Sequence, residues 1–79
     1  MIIDLFEIKD FLIFLKSQYP EINIESWYDP IIDEMNITIC HHKSYNYYYG
    51  TFPANDTKEA IRKINALVIN FLASYQIRG

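Results

Sequence analysis

Glycine and arginine are scarce in this sequence, with two of each among 79 residues, and cysteine occurs once. With only Gly50 and Gly79, the chain has no glycine-rich loop of the kind that cradles phosphate groups. The single Cys40 cannot form a disulfide within the chain, which fits a reducing, cytoplasmic compartment. The longest apolar run, Phe11 to Leu15, is too short to cross a membrane.

Basic side chains are outnumbered, with seven Lys and Arg against ten Asp and Glu, and the net charge is −3. Because a protein that neutralises phosphates needs basic groups, we expect nucleic acid to be a poor partner. The acidic excess lies in residues 1–34, which carry eight acidic and two basic side chains. In that half, Asp29, Asp33 and Glu34 form a compact acidic loop. The loop is either a contact for a basic protein surface or simply a solvated loop.

The spacing of apolar residues predicts a helix, three strands and a second helix. Asp4 and Asp56 each precede a glutamate by three residues, which is typical of a helix start, although Thr57 is an alternative cap for the second helix. We therefore expect one α+β domain over residues 1–79, an α-β-β-β-α arrangement of two layers. A three-stranded antiparallel meander would carry both helices on one face. The expected bounds are about 4–18 and 57–77 for the helices and about 22–28, 35–42 and 46–52 for the strands.

The first helix has apolar residues on more than one side. Its predicted core stripe consists of Leu5, Ile8, Leu12, Leu15 and Tyr19, and Leu12 and Leu67 lie near the middle of the two helix stripes. Phe6 and Ile13 fall away from that stripe, beside charged residues, and Phe14 widens the apolar surface further. We interpret these three side chains as a contact surface for a partner or a second copy, with burial against the second helix as the alternative.

The outer face of the sheet is expected to be aromatic. If the isoleucines of the first two strands point at the helices, Trp27 points away from them. For the third strand we favour the register that turns Tyr48, Gly50 and Phe52 inward, since Phe52 is the most apolar, and that leaves Tyr45, Tyr47 and Tyr49 outward. The opposite register buries Tyr47 and Tyr49. An outward aromatic face would stabilise the sheet through cross-strand pairs, bind a protein, or stack nucleic-acid bases.

The only pattern that suggests metal chemistry is Cys40-His41-His42. On a strand, Cys40 and His42 share one face and His41 points to the other. A structural zinc site needs four convergent ligands, and a nucleophilic cysteine needs an oriented base. We therefore expect no metal, no cofactor and no enzymatic activity.

One resemblance covers most of the chain in its order of elements. Residues 49–52, followed by 56–60 and a long amphipathic helix, resemble the double-stranded RNA-binding domain. The resemblance implies an α-β-β-β-α fold and contact with duplex phosphates through Lys58, Arg62 and Lys63. The loop that enters the RNA minor groove in that family corresponds here to acidic residues 29–34, which phosphates would repel. Nucleic-acid binding is therefore the alternative function.

The function that we expect is a non-enzymatic protein-binding module, an inhibitor or accessory factor that occupies a partner surface. Isoleucine, asparagine, tyrosine and lysine, which have A/T-rich codons, supply much of the chain. That composition suggests a low-GC coding genome, such as that of a bacterium, a phage or another mobile element. A small acidic anti-defence protein of a phage would have this size and charge.

Overall fold

The computed structural model describes residues 3–43 and 46–78, with side chains as far as Ser74. Helix α1 (Leu5–Gln18) is followed by strands β1 (Ile22–Asp29), β2 (Glu34–His41) and β3 (Tyr47–Pro53) and by helix α2 (Thr57–Arg78). The three strands form one antiparallel sheet in the order β1-β2-β3. This confirms the predicted α-β-β-β-α fold. Tyr45, which we expected on the outer face, lies outside the described residues.

Side-chain caps set the start of both helices. The Asp4 carboxylate accepts hydrogen bonds from two backbone N–H groups of the first turn, each at 3.1 Å. Asp56 is the cap of α2, because its carboxylate accepts the N–H of Glu59 at 2.9 Å. The hydroxyl of Thr57, the alternative cap, instead accepts the Asp4 N–H at 2.8 Å. The two helix starts are thereby joined to each other.

Two backbone hydrogen bonds show which groups each strand uses for pairing. The His42 N–H donates to the Glu21 carbonyl at 3.0 Å beside the β1–β2 pair, and the His41 N–H donates to the Asn46 carbonyl at 2.8 Å beside the β2–β3 pair. Bonds to one neighbour alternate along an antiparallel strand. In the observed registers, the odd-numbered residues of β1 form backbone hydrogen bonds to β2. On the other side of β2, the even-numbered residues of β3 form backbone hydrogen bonds to it.

The core lies between one face of the sheet and both helices. Its buried members from the sheet are Ile22, Ile24, Met35, Ile37 and Ile39, and those from the helices are Ile8, Leu15, Ala60, Ile64 and Val68. Burying this apolar surface is the main contribution to stability in a domain of this size. Because one cluster includes both helices, they pack on the same face of the sheet.

The third strand adopts the register that we favoured. Phe52 pairs with Met35, Gly50 with Ile37, and Tyr48 with Ile39, so these three residues of β3 share the inner face with the core. The nearest atoms to a Cβ at Gly50 all belong to the Tyr48 ring, so the space is used by a side chain of the same strand.

The expected core stripe of α1 is partly wrong. Ile8 and Leu15 are buried, but Leu5 is 54% exposed and Leu12 is only half-buried. The side chains of α1 that face the core are therefore centred on Ile8 and Leu15, and Leu5 lies to one side of that line. On α2, Leu67 is likewise half-buried, because Ile64 and Val68 are the residues that point at the sheet.

The end of β2 also differs from the expectation. The strand ends at His41, so His42 lies in the following turn, exposed, and is not a member of the outer face. His41 is buried on the inner face, where its Nδ1 accepts the N–H of Lys43 at 3.3 Å.

Candidate functional site

The three residues of the Cys40-His41-His42 pattern do not converge on one site. Cys40 is half-buried on the outer face of the sheet, His41 is buried on the inner face, and His42 lies in the turn. Among residues 3–43 and 46–74, no set of three or more His, Cys, Asp or Glu side chains is placed to hold a metal ion.

Helix α1 divides the predicted contact residues between two surfaces. Ile13 lies beside β1, whereas Phe14 lies on the opposite flank, toward α2. There the Phe14 ring stacks on Phe11, with 6.2 Å between ring centroids. Phe6 is 83% exposed near the start of the helix. Ile13 and Phe14 therefore lie on different flanks of α1, and all three residues are exposed.

An open groove of about 620 Å³ runs between α1 and β1, and we call it the α1–β1 groove. Its floor is apolar and includes Ile24 and Met35 from the sheet. Its helix wall carries Leu5, Ile8, Lys9, Leu12, Ile13 and Lys16, and its strand side runs from Ile24 to Tyr28. The groove thus combines an apolar floor with two lysines on the helix wall and one glutamate, Glu25, on the strand side.

The short side chain of Ser26 leaves this groove open. Ser26 lies between Ile24 and Tyr28 on the inner face of β1 and lines the groove. Trp27, the next residue, is on the outer face but also reaches the groove. Trp27 therefore connects the α1–β1 groove with the aromatic outer face.

The outer face of the sheet is aromatic where we expected it to be. Trp27, Tyr47 and Tyr49 are all exposed. The ring centroids of Trp27 and Tyr49 lie 6.2 Å apart across β2, and the Tyr49 hydroxyl donates to the Asn36 side-chain oxygen at 3.1 Å. This is a cross-strand cluster that stabilises the sheet.

The acidic loop is a tight hairpin in which two carboxylates have hydrogen-bond partners. Asp29 accepts the N–H of Ile31 at 2.9 Å, and Asp33 accepts a hydrogen bond from the Tyr28 hydroxyl. Asp33 has a φ of 50°, a left-handed conformation that aspartate tolerates in turns. Its carbonyl accepts the Ala54 N–H at 3.0 Å, which joins the hairpin to the end of β3. Asp29 and Asp33 therefore shape the loop.

The hydrogen bond to Asp33 also raises the pKa of the Tyr28 phenol above its ordinary value. The hydrogen bond is the largest cause, followed by burial and by the negative charges of Asp33 and Asp29.

The tip of this hairpin carries a feature that sequence reasoning missed. Ile31 is 90% exposed, and Ile32 is exposed as well. Of the three predicted acidic contact residues, Glu34 lies at the first position of β2, opposite Asp29.

Two of the three basic candidate residues on α2 form ion pairs with a neighbouring glutamate. Glu59 forms ion pairs with Arg62 and, at 3.7 Å, with Lys63. Lys63 also donates to the Pro53 carbonyl at 3.4 Å, and its ammonium lies 5.4 Å from the centre of the Phe52 ring. Of the three candidate phosphate contacts, Lys58 alone has no ion pair among the described residues.

Comparisons with known proteins give no further guidance to function. No protein-family model matches the chain, and searches of curated proteins and of solved structures returned no significant match. Within the described residues, neither helix is long and apolar enough to cross a membrane.

Sequence reasoning also missed the α1–β1 groove. The available signal was the spacing of Leu5, Lys9, Ile13 and Lys16, which places two apolar and two basic residues on one flank of α1. That flank becomes a groove wall because β1 is an edge strand, with no other strand beside it among residues 3–43 and 46–78.

Proposed function

We propose that this chain is a small protein-binding module, and that the α1–β1 groove is its contact site. The observation that carries this proposal is the convergence of Leu5, Ile13 and Trp27 on one groove while they remain 54%, 57% and 48% exposed. Contiguous exposed apolar surface on a small domain typically marks an interaction site. Buried aromatic side chains such as tryptophan often contribute much of the binding energy.

These three side chains would supply part of the free energy of a complex, and further contacts would have to offset the cost of association. Covering apolar surface contributes roughly 25 cal/mol per Å². A partner that covers all three side chains would therefore gain on the order of a few kcal/mol, before the cost of association. Such a module acts by occupying a partner's surface as an inhibitor or accessory factor, and it needs no catalytic group.

The composition suggests where such a factor would act. A short acidic chain from a low-GC coding genome fits a protein of a phage or another mobile element that blocks a host defence protein. This part of the proposal rests on composition and size alone.

The nucleic-acid alternative has less support. Glu59 already pairs with Arg62 and Lys63, and the hairpin that would approach duplex RNA carries Asp29 and Asp33. Phosphates would have to displace Glu59 from its ion pairs, and the carboxylates of Asp29 and Asp33 would repel them.

The test is affinity capture from cells that carry the gene, with three forms of the tagged chain. Wild type is compared with Ile13→Glu, in the groove, and with Ile69→Glu, on α2 outside it. Ile13 and Ile69 are 57% and 50% exposed, so both variants should melt close to wild type. We expect Ile69→Glu to retain the captured protein and Ile13→Glu to lose it. Equal capture by the two variants would show that the groove is not the contact site.

A further inference from the structure

The outer edge of β1 presents unpaired backbone groups. In the observed register the odd-numbered residues of β1 bond to β2, so Ile24, Ser26 and Tyr28 direct their N–H and C=O groups away from the sheet. Within residues 3–43 and 46–78, no strand pairs with this edge. An exposed strand edge of this kind is a template for another strand.

The α1–β1 groove lies directly beside that edge. The side chains of Ile24, Ser26 and Tyr28 line the groove from the strand, and α1 forms the opposite wall. A strand paired with β1 would point alternate side chains to the same side of the sheet as these three residues. Those side chains would enter the groove, while the backbone of the new strand satisfied the edge.

Charge indicates which kind of strand fits. Lys9 and Lys16 stand seven residues apart on the groove wall, against the single carboxylate of Glu25 on the strand side, and neither lysine has an ion-pair partner in the part of the chain that the structure describes. A second copy paired through β1 would bring the lysines of both chains to one shared groove, where they would repel each other. A segment with acidic side chains would be attracted instead.

We propose that the α1–β1 groove binds an extended segment of a partner protein, which adds to β1 as a fourth strand. The segment has apolar residues at alternate positions, facing Ile24, Ser26 and Ile13, and acidic residues that meet Lys9 and Lys16. This inference rests on the proposed function, since it takes the groove to be the contact site.

The probe is a phage-displayed library of random linear peptides. The library is selected on the whole wild-type chain and depleted on Ile13→Glu, so that only groove-dependent peptides remain. We expect the selected peptides to alternate apolar residues and to contain Asp or Glu. We also expect their affinity to fall as salt is raised, because the lysines are exposed to solvent.

Two edge variants separate strand pairing from simple contact with the groove. Ser26→Pro removes an outward N–H from β1, and Thr51→Pro removes an outward N–H from β3 on the far edge. Loss of the hydrogen bond, together with the bulk of the proline ring, should weaken peptide binding about tenfold or more for Ser26→Pro. Binding to Thr51→Pro should be unchanged, and thermal melting checks that both variants fold.

Amide hydrogen exchange of the wild-type chain gives a readout that needs no substitution. Bound peptide should slow exchange at Ile24, Ser26 and Tyr28. Tight binding without this protection, and without an effect of Ser26→Pro, would overturn strand pairing while the groove remained the contact site. A library that yields no groove-dependent peptide would also overturn strand pairing. The capture experiment would then show by itself whether the groove is the contact site. Self-association that Ser26→Pro abolishes would overturn it by showing a second copy at the edge.

Discussion

At the β3 edge of the sheet, side chains divide the space between the strand and α2 into two smaller depressions, whereas at the β1 edge the corresponding space is one open groove. Tyr48 lies over Gly50, and Lys63 reaches across the ring of Phe52 to the carbonyl of Pro53. The two depressions that border β3 measure about 320 and 230 Å³, against about 620 Å³ for the α1–β1 groove.

The backbones of the two edge strands also differ in the N–H groups that they offer for pairing. β3 ends in Pro53, which has no N–H to offer, and proline is a common means of protecting an edge strand. β1 has no proline between Ile22 and Asp29, and its middle inner-face residue is the small Ser26. The comparison indicates that side chains and a proline obstruct the β3 edge, whereas the β1 edge borders a single groove and has no proline in its strand.

The largest expected effect tests whether the groove reflects loose packing of α1. Leu15 and Ile64 are fully buried on the two helices, so each change to alanine leaves a cavity. We expect Leu15→Ala and Ile64→Ala each to lower the free energy of unfolding by about 2–5 kcal/mol. Leu12→Ala, at a half-buried position in the groove wall, is the matched control and should cost clearly less. The measurement is urea denaturation.

The opposite result would show that the groove at the β1 edge arises from loose packing of α1. If Leu15→Ala cost no more than Leu12→Ala, α1 would be only loosely packed on the sheet. The groove would then be a consequence of poor packing and not a built surface.

Much of this architecture could be predicted from the sequence, because it depends on local patterns. Asp4 was recognisable as a cap, and the cap of the second helix was narrowed to Asp56 or Thr57, since the cap needs only a side-chain acceptor close to the first turn. The inward face of β3 followed from the apolar character of Phe52. These features depend on residues within a few positions of one another, which a single sequence displays.

The candidate site could be predicted only in part, because it depends on how the elements pack. Periodicity placed Leu5 on the core stripe, but the rotation of α1 about its own axis decides which residues at the stripe's margin are covered. The same rotation places Ile13 beside β1 and Phe14 on the flank toward α2. Asp29 and Asp33 looked like free charges, and their hydrogen bonds appear only when the hairpin is folded.

The next prediction tests how the β3 side is filled. A Cβ on Gly50 would overlap the Tyr48 ring, and Gly50 does not have a positive φ. Replacing a strand glycine by alanine normally stabilises by about 0.5–1 kcal/mol. We expect that gain to be absent for Gly50→Ala in wild type, where the ring must move, and to appear in the Tyr48→Ala background. The corresponding double-mutant cycle, measured by urea denaturation, should show a coupling of about 1 kcal/mol. Equal effects in both backgrounds would mean that the ring does not occupy this space.

The smallest effect concerns Tyr28, where the α1–β1 groove meets the hairpin. Its phenol donates to the Asp33 carboxylate, and this hydrogen bond raises the pKa of Tyr28 above the ordinary value of 10.0. Because the folded state holds the phenol proton more tightly than the unfolded state, the contribution to stability is fully present below about pH 10. It is lost as the pH rises through the raised pKa, when the phenolate and Asp33 repel each other.

Alkaline titration of the phenol absorbance checks this assignment at the β1 edge. Subtracting the titration curve of Tyr28→Phe from that of wild type isolates Tyr28 from the other tyrosines. We expect a midpoint above 10.0 in wild type, and a lower one in Asp33→Asn, which removes the carboxylate charge. The stability difference between wild type and Tyr28→Phe should also shrink as the pH rises past that midpoint. If Asp33→Asn left the midpoint unchanged, the hydrogen bond would not hold the hairpin, and the hairpin end of the α1–β1 groove would lack the support that this bond gives to Tyr28.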